Sequence, residues 1–174
     1  AALQAQLLGG NNGGPGYQNM PGVMQPILRD VTDVTVTTAG RHELAAFTVG
    51  AGAFGADRQV RSQLQGYGVR DSGSQNGMTF VRVSQLGELL GEFEWRQFAA
   101  DVDGAMAVQE FTLRHEGAGS LLFSPGVAIG AVGQPLVVVV NPQLPTVISV
   151  EFAFTVTPSA GASFTKLYAD AFLI

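Results

Sequence analysis

The strongest pattern in the chain is an alternation of apolar and polar residues with a period of two. This spacing is typical of β-strands that bury one face, because successive side chains of a strand point in opposite directions. The longest example is residues 147–157, whose apolar positions are Ile148, Val150, Phe152, Phe154 and Val156. Residues 43–49, 91–96 and 110–114 alternate over shorter lengths, and residues 31–38 are rich in β-branched side chains. We predict a strand over each of these segments.

Further strands are predicted from weaker patterns over residues 59–67, 78–84, 119–124, 135–141 and 162–173. Residues 137–140 are four valines in a row, which predicts a strand buried on both faces or under an interface. Two short segments also carry helix signals. Residues 57–65 start at the helix-capping residue Asp57, and residues 84–90 start at Ser84.

These segments predict an all-β domain of about eight to ten antiparallel strands in two sheets. Twenty-three glycines and eight prolines supply turns between them and disfavour a helical bundle. A single jelly roll is the natural eight-stranded sandwich of this kind. An immunoglobulin-like sandwich is the alternative, although this chain lacks the cysteine pair and is larger than that fold.

The chain divides into a predicted N-terminal arm, residues 1–26, and a predicted jelly-roll domain, residues 27–174. The arm carries no charge, and residues 9–16 are a linker of glycine, asparagine and proline. It is either an arm that docks onto a neighbouring molecule or a frayed terminus.

The charge distribution disfavours direct binding to nucleic acid. The net charge is −5, the eight arginines are scattered, and Lys166 is the single lysine. Without cysteine, disulfides and thiolate metal sites are excluded. Residues 117–150 are uncharged, but prolines and glycines interrupt them too often for a membrane-spanning helix. We predict strands and turns there that face the core or another subunit.

One glycine pattern raises the question of a nucleotide cofactor. Gly50, Gly52 and Gly55 fit the G-x-G-x-x-G pattern after a predicted strand, and Asp71 follows at about the expected distance. The residues that follow offer few positions for a packed helix, and no alternating strands and helices succeed them. We therefore interpret residues 50–55 as a loop and predict no cofactor.

The remaining candidate groups also predict no catalytic or metal site. His42 and His115 are the two histidines, each is followed by an acid, and they do not form the compact cluster that a metal site needs. No G-x-S-x-G motif supports a serine triad. Glu92 and Glu94 lie two apart on one strand, so they share a face rather than oppose each other across a glycosidase cleft. We predict that the protein is not an enzyme.

Only 13% of the residues are charged, which leaves much neutral surface for a soluble monomer. Such a surface is stable when partners cover it. We assign residues 1–26 and 117–150 to these contacts, and this favours a subunit of an assembly.

Four properties of the chain together give it a resemblance to one protein family. They are the size, the cysteine-free strands rich in Gly, Ala and Val, the excess of arginine over lysine, and the uncharged arm before Ile27. The chain is similar to the small major capsid protein of tailless icosahedral viruses with an internal membrane, which infect thermophilic bacteria and haloarchaea. Its modest acidity resembles the Thermus phages more than the haloarchaeal viruses.

The resemblance implies a virion structural protein located in the capsid and assembled in the host cytoplasm. It implies homodimers, a second and larger capsid protein as partner, and an internal viral membrane nearby. It transfers no functional residue to this chain.

A different class of function is also open, namely a carbohydrate- or receptor-binding jelly roll such as a fibre head. Tyr17, Tyr67 and Trp95 are the candidate sugar-stacking aromatics. Trp95 alternates with charged neighbours, so we expect its side chain in the core rather than on a binding surface.

Overall fold

The structure is a computed structural model that describes residues 24–55, 58–69, 75–100, 105–117, 119–125 and 137–174. These residues form eleven strands and no helix. The strands are β1 (Gln25–Asp30), β2 (Val34–Val36), β3 (Arg41–Val49), β4 (Gln59–Val69), β5 (Gln75–Gln85), β6 (Glu88–Ala100), β7 (Ala105–His115), β8 (Ser120–Pro125), β9 (Val137–Val139), β10 (Thr146–Phe154) and β11 (Ser163–Leu173).

The strands pair into two antiparallel sheets. One has seven strands in the order β1-β11-β4-β7-β8-β9, with β2 also pairing with β11, and the other has four in the order β3-β10-β5-β6. Strands from opposite ends of the chain lie side by side, as when β1 pairs with β11 and β3 with β10. This is the strand order of a jelly roll, in which β8 and β9 extend one sheet. The predicted all-β jelly roll is confirmed, although the described residues form eleven strands rather than the predicted eight to ten. The immunoglobulin-like alternative does not fit.

The core lies between the inner faces of the two sheets and is dominated by phenylalanine. Phe152 of β10 stacks on Phe164 of β11 with ring centroids 4.3 Å apart. Phe93 of β6 stacks on Phe123 of β8 at 4.5 Å. Such ring pairs contribute about 0.5–1.5 kcal/mol beyond the burial of their area. The period-two pattern therefore places one aromatic layer of each sheet against the other.

Glycines inside two strands make room for these rings. A Cβ on Gly77 would lie 2.2 Å from the Phe152 ring, and one on Gly66 would lie 2.6 Å from the carbonyl oxygen of Thr165. Real Cβ atoms do not come this close to other atoms. The packing of β5 around Gly77 and the packing of β4 around Gly66 therefore each depend on glycine.

The single lysine of the chain is part of a buried ion pair. Lys166 is fully buried, and its Nζ donates to Asp30 Oδ2 at 2.6 Å. A bulge between Lys166 and Tyr168 interrupts the pairing of β11 with β4. On its other edge, β11 pairs with β2 at residues 164–166 and with β1 from residue 169 onward, so this ion pair joins β11 to the point where β1 ends.

Each of the ten predicted strand segments overlaps an observed strand. Three predictions about particular segments need correction. Residues 31–38 contain only the short β2, and both helix signals are wrong. Residues 57–65 enter β4 at Gln59, and residues 84–90 form the β5–β6 hairpin. In β4 the apolar Val60 and Leu64 satisfy a period of two as well as a period of four, and pairing with β7 and β11 decides between them.

The four-valine segment also differs from its prediction. Val138 and Val140 are buried, whereas Val137 and Val139 are 57% and 68% exposed. Burial on both faces is therefore wrong for this chain taken alone. Val156, predicted to continue the inward face of β10, lies beyond the end of that strand and is exposed.

The predicted arm is described only at its end. Residues 1–23 lie outside the described residues, and Gln25 and Pro26 are the first residues of β1. In the described part of the chain no helix is long and apolar enough to cross a membrane.

Candidate functional site

The glycine-rich segment at residues 50–55 is a loop, as predicted. The Gly52 amide donates to the carbonyl oxygen of Pro142 at 2.8 Å, and Phe54 is buried in the core. The next described element is strand β4, whereas a dinucleotide site places a helix directly after its glycines. Asp71 lies outside the described residues.

The two histidines belong to different sheets. His42 at the start of β3 lies 3.2 Å from the hydroxyl and the carbonyl oxygen of Thr38. His115 at the end of β7 is buried beside Phe54, and neither of its ring nitrogens has a hydrogen-bond partner among the described residues. No group of three metal-ligating side chains occurs in the part of the chain that the structure describes.

Glu92 and Glu94 share the outer face of the four-stranded sheet, as their spacing predicted. There Glu92 belongs to a network with one member on each strand of the sheet. Arg41 of β3 donates to both carboxylate oxygens of Glu92, one of them at 2.7 Å, and its guanidinium lies 3.9 Å from the centre of the Phe80 ring. Arg82 of β5 donates to Glu151 of β10 at 2.9 Å.

The electrostatics of this network oppose acid catalysis. The hydrogen bonds from Arg41 lower the pKa of the Glu92 carboxyl and outweigh the opposing effect of burial, while Glu92 in turn raises the pKa of Arg41. A glycosidase general acid needs a raised pKa. The network is thus a set of mutually neutralised charges that joins four strands.

The outer face of the seven-stranded sheet is different, because it contains a hollow lined by aromatic and polar side chains. On β11, Ala169, Ala171 and Leu173 face the core, so the residues between them face outward. The hollow has a volume of about 270 Å³ and is lined by Pro26, Leu28, Arg29, Tyr168, Asp170 and Phe172.

Two neighbouring side chains define the polarity of this hollow. The Tyr168 hydroxyl donates to Asp170 Oδ2 at 2.8 Å, and this hydrogen bond, with burial, raises the pKa of Tyr168. Arg29 lies directly opposite Asp170 in the pairing of β1 with β11. The hollow therefore offers a carboxylate and a guanidinium beside two aromatic rings.

The predicted sugar-stacking residues lie differently. Tyr67 is half-buried on the same outer face, in β4, two residues from Gln65, which pairs with Tyr168. Tyr17 lies outside the described residues. Trp95 lies in β6, but its side chain is not described. Tyr168 and Phe172 were missed, although their alternation with Ala169, Ala171 and Leu173 is visible in the sequence.

A second surface feature is the edge of the seven-stranded sheet at β9. Among the described strands β9 is the last in this sheet, and its outward side chains are Val137 and Val139. Residues 137–139 fall within the uncharged segment that the sequence assigned to contacts. A neutral edge strand with exposed valines is a template for pairing with another chain.

No family model matches the chain, and no curated protein matches it. Several solved structures show a distant similarity. A glycosyl hydrolase family protein from Mycobacterium fortuitum is 10% identical, with 80% of this chain and 74% of that chain covered and a TM-score of 0.35. An uncharacterized protein from Mycobacterium paratuberculosis is also 10% identical, over 80% and 81% of the two chains, with a TM-score of 0.38.

A Mycobacterium tuberculosis protein described as an immunostimulatory antigen and pseudo beta-1,3-glucanase is 8% identical. The similarity covers 80% of this chain and 74% of that chain, with a TM-score of 0.35. Likeness this distant assigns neither sugar binding nor catalysis to this protein.

Proposed function

We propose that this protein is a carbohydrate-binding jelly-roll module and that the hollow between β1 and β11 is its binding site. The observation that carries the proposal is that aromatic rings and planar polar groups lie side by side on the outer face of the seven-stranded sheet. Tyr168 and Phe172 are only partly buried, and Asp170 and Arg29 lie between and beside them. A pyranose has an apolar C–H face and a rim of hydroxyls, which such a surface complements.

The dimensions fit a small ligand. A volume of about 270 Å³ is close to the lower end of the usual range for ligand sites, roughly 300–1,000 Å³. We expect a single sugar ring or a disaccharide unit of a longer glycan. Gln63 and Gln65 of β4 lie opposite Asp170 and Tyr168 and extend the polar surface beyond the hollow.

Binding without hydrolysis is the proposed activity. Of the residues that line the hollow, Asp170 alone carries a carboxylate, and one of its oxygens accepts the Tyr168 hydroxyl. Glycosidases need two carboxyl groups about 5–9.5 Å apart. We therefore propose that the protein is not a glycosidase.

The test is a glycan panel followed by titration calorimetry on the best ligand. We expect Phe172→Ala to weaken binding at least tenfold, because the stacking surface is lost. Val156→Ala, an exposed valine outside the hollow, is the matched control and should leave the affinity unchanged. Failure of every glycan to bind at millimolar concentration, or full affinity in a folded Phe172→Ala variant, would overturn the proposal.

A second function, a capsid or other assembly subunit, is favoured by the exposed Val137 and Val139 on edge strand β9. In the capsid version the protein forms dimers and joins a second, larger shell protein in the virion. Light scattering across concentration tests it. We expect a dimer or larger species that Val139→Glu weakens and that deletion of residues 1–23 weakens if the arm docks on a neighbour. A strict monomer at high concentration would contradict self-association.

A further inference from the structure

We infer that the saccharide bound in this hollow is acidic and that its carboxylate is held by Arg29 and Arg61. The inference rests on the proposed function and specifies its ligand. Arg61 of β4 is paired with Phe172 of β11, and Arg29 of β1 is paired with Asp170. Arg61 therefore lies beside Phe172 on one side of β11, and Arg29 lies beside Asp170 on the other side, one outward-facing position further along the strand.

Among the arginine side chains that the structure describes, these two are the ones with no hydrogen-bond or ion-pair partner in the described residues. The structure describes six arginine side chains, and four of them are bonded. Arg41 and Arg82 pair with Glu92 and Glu151, Arg114 lies 3.5 Å from Glu116, and Arg58 donates to the carbonyl oxygen of Ile174. In the described part of the chain, Arg29 and Arg61 have no hydrogen bond or ion pair, and both are exposed.

The lack of partners is informative because acidic groups are abundant. The protein has fourteen acidic residues against nine basic ones, so neutralising partners are not scarce. Arg29 even lies opposite a carboxylate on the next strand without bonding to it, while that carboxylate, Asp170, accepts the Tyr168 hydroxyl instead. Both guanidinium forks remain available to an incoming anion, and their planar geometry suits a carboxylate.

The local charge also favours an anionic ligand. Arg29 and Arg61 give two positive charges against the single negative charge of Asp170. Another acid of this sheet, Glu110 of β7, is two strands from β11, opposite Gln63. On a protein of net charge −5 this positive area would attract an anion from solution.

The apolar floor indicates that the anion belongs to a sugar rather than to a small inorganic ion. Pro26 and Phe172, which lie opposite each other on the outer face, contribute no charge and would be contacted by the C–H face of a ring. A uronic acid carries both features, a ring face for Phe172 and a carboxylate at its edge for the arginines.

The experiment compares matched acidic and neutral sugars by titration calorimetry on the full chain. The probes are digalacturonate with its neutral counterpart galactobiose, and sialyllactose with lactose. We expect the acidic member of at least one pair to bind at least tenfold more tightly, and this preference to shrink between 50 and 500 mM salt, on the scale at which exposed charges are screened.

Single substitutions then test the residues. Arg29→Gln and Arg61→Gln should each weaken binding of the acidic sugar about fivefold or more and leave the affinity for the neutral sugar unchanged. Arg114→Gln, on the same sheet but already paired with Glu116, is the matched control and should change neither.

The outcomes separate this inference from the proposed function. Equal binding of neutral and acidic sugars would overturn the inference and leave the proposed function standing. Competition by inorganic sulfate at the same concentration as the disaccharide would show an anion site without sugar recognition and overturn it too. Absence of binding to any of the four sugars or to the wider panel would overturn both.

Discussion

Replacing Asp30 by asparagine should destabilise the fold by about 3 kcal/mol at pH 7, because it leaves a buried lysine without its counter-charge. Lys166 is 0% exposed, the Asp30 side chain is 25% exposed, and the bonded atoms lie 2.6 Å apart. At an effective dielectric constant near 20, the attraction between the two charges at this distance is about 6 kcal/mol. Much of it offsets the cost of removing Lys166 from water.

Two considerations set the expected size of this loss of stability. Breaking a buried ion pair by removing one partner costs about 3–5 kcal/mol. The new asparagine oxygen still accepts a hydrogen bond, so we expect a value near the lower limit. In Asp30→Asn with Lys166→Met, no charge is buried and most of the stability should return.

The pH dependence identifies the charge rather than the shape of Asp30 as the cause. Burial alone would raise the pKa of this carboxyl, but the hydrogen bond from Lys166, the bond from the Thr32 amide and the Lys166 charge outweigh it and lower the pKa below its ordinary 3.8. A lowered folded pKa gives stability that is complete above the unfolded pKa and lost as the pH falls through the folded one. The difference between wild type and Asp30→Asn should be constant from about pH 5 to 8 and shrink below pH 4.

Urea unfolding followed by circular dichroism at several pH values measures this difference. Arg114→Gln is the control, since the exposed Arg114–Glu116 pair should contribute less than about 1 kcal/mol. A loss below 1 kcal/mol at pH 7 would refute the argument from burial. An undiminished loss at pH 2.5 would refute the argument from charge.

Three further predictions use the same unfolding assay. Gly66→Ala should destabilise the fold by about 2 kcal/mol, because its Cβ would lie 2.6 Å from a backbone oxygen that cannot move away. The control Gly55→Ala, whose Cβ would have its nearest neighbour at 3.9 Å, should change stability by less than about 0.5 kcal/mol. Equal effects of the two substitutions would contradict this. Leu86→Asn should stabilise by about 0.5–1 kcal/mol, because Leu86 is 80% exposed in a left-handed turn conformation (φ 51°) that asparagine adopts more easily; a loss of stability would contradict this. Glu92→Gln should cost about 1 kcal/mol at pH 7. The cost should disappear as the pH falls through the lowered pKa of Glu92, because the side chain at position 92 is then neutral in both proteins; a cost independent of pH would contradict this.

The strands could be predicted from the sequence because burying one face of a sheet forces a period of two, as in residues 147–157. The helix signal at residues 57–65 failed because Val60 and Leu64 fit both periods, and only pairing with distant strands decides which one applies. The buried Lys166 had no local signal. Its partner Asp30 is 136 residues away, and the pair exists only because β1 and β11 are neighbours.

Only the part of the candidate site that lies on β11 could be predicted from the sequence. The outward alternation of Tyr168, Asp170 and Phe172 can be read from the sequence of β11. The position of Arg29 opposite Asp170 depends on the register of β1, which contains a bulge between Pro26 and Leu28. A shift of one residue would turn Arg29 away from this face, so no local pattern could have joined the two strands.

The two proposed surfaces are compatible because they lie at opposite edges of one sheet. Five strand spacings separate β1 from β9, which corresponds to about 24 Å. Substitutions at Phe172 and Val139 should therefore act independently, one on sugar affinity and the other on assembly. The four-stranded face is unsuited to either role, since a ligand there would have to displace Arg41 from Glu92. If the chain does assemble through β9, each added copy presents another sugar site, and weak binding at a small hollow becomes strong binding to a polymeric glycan through avidity.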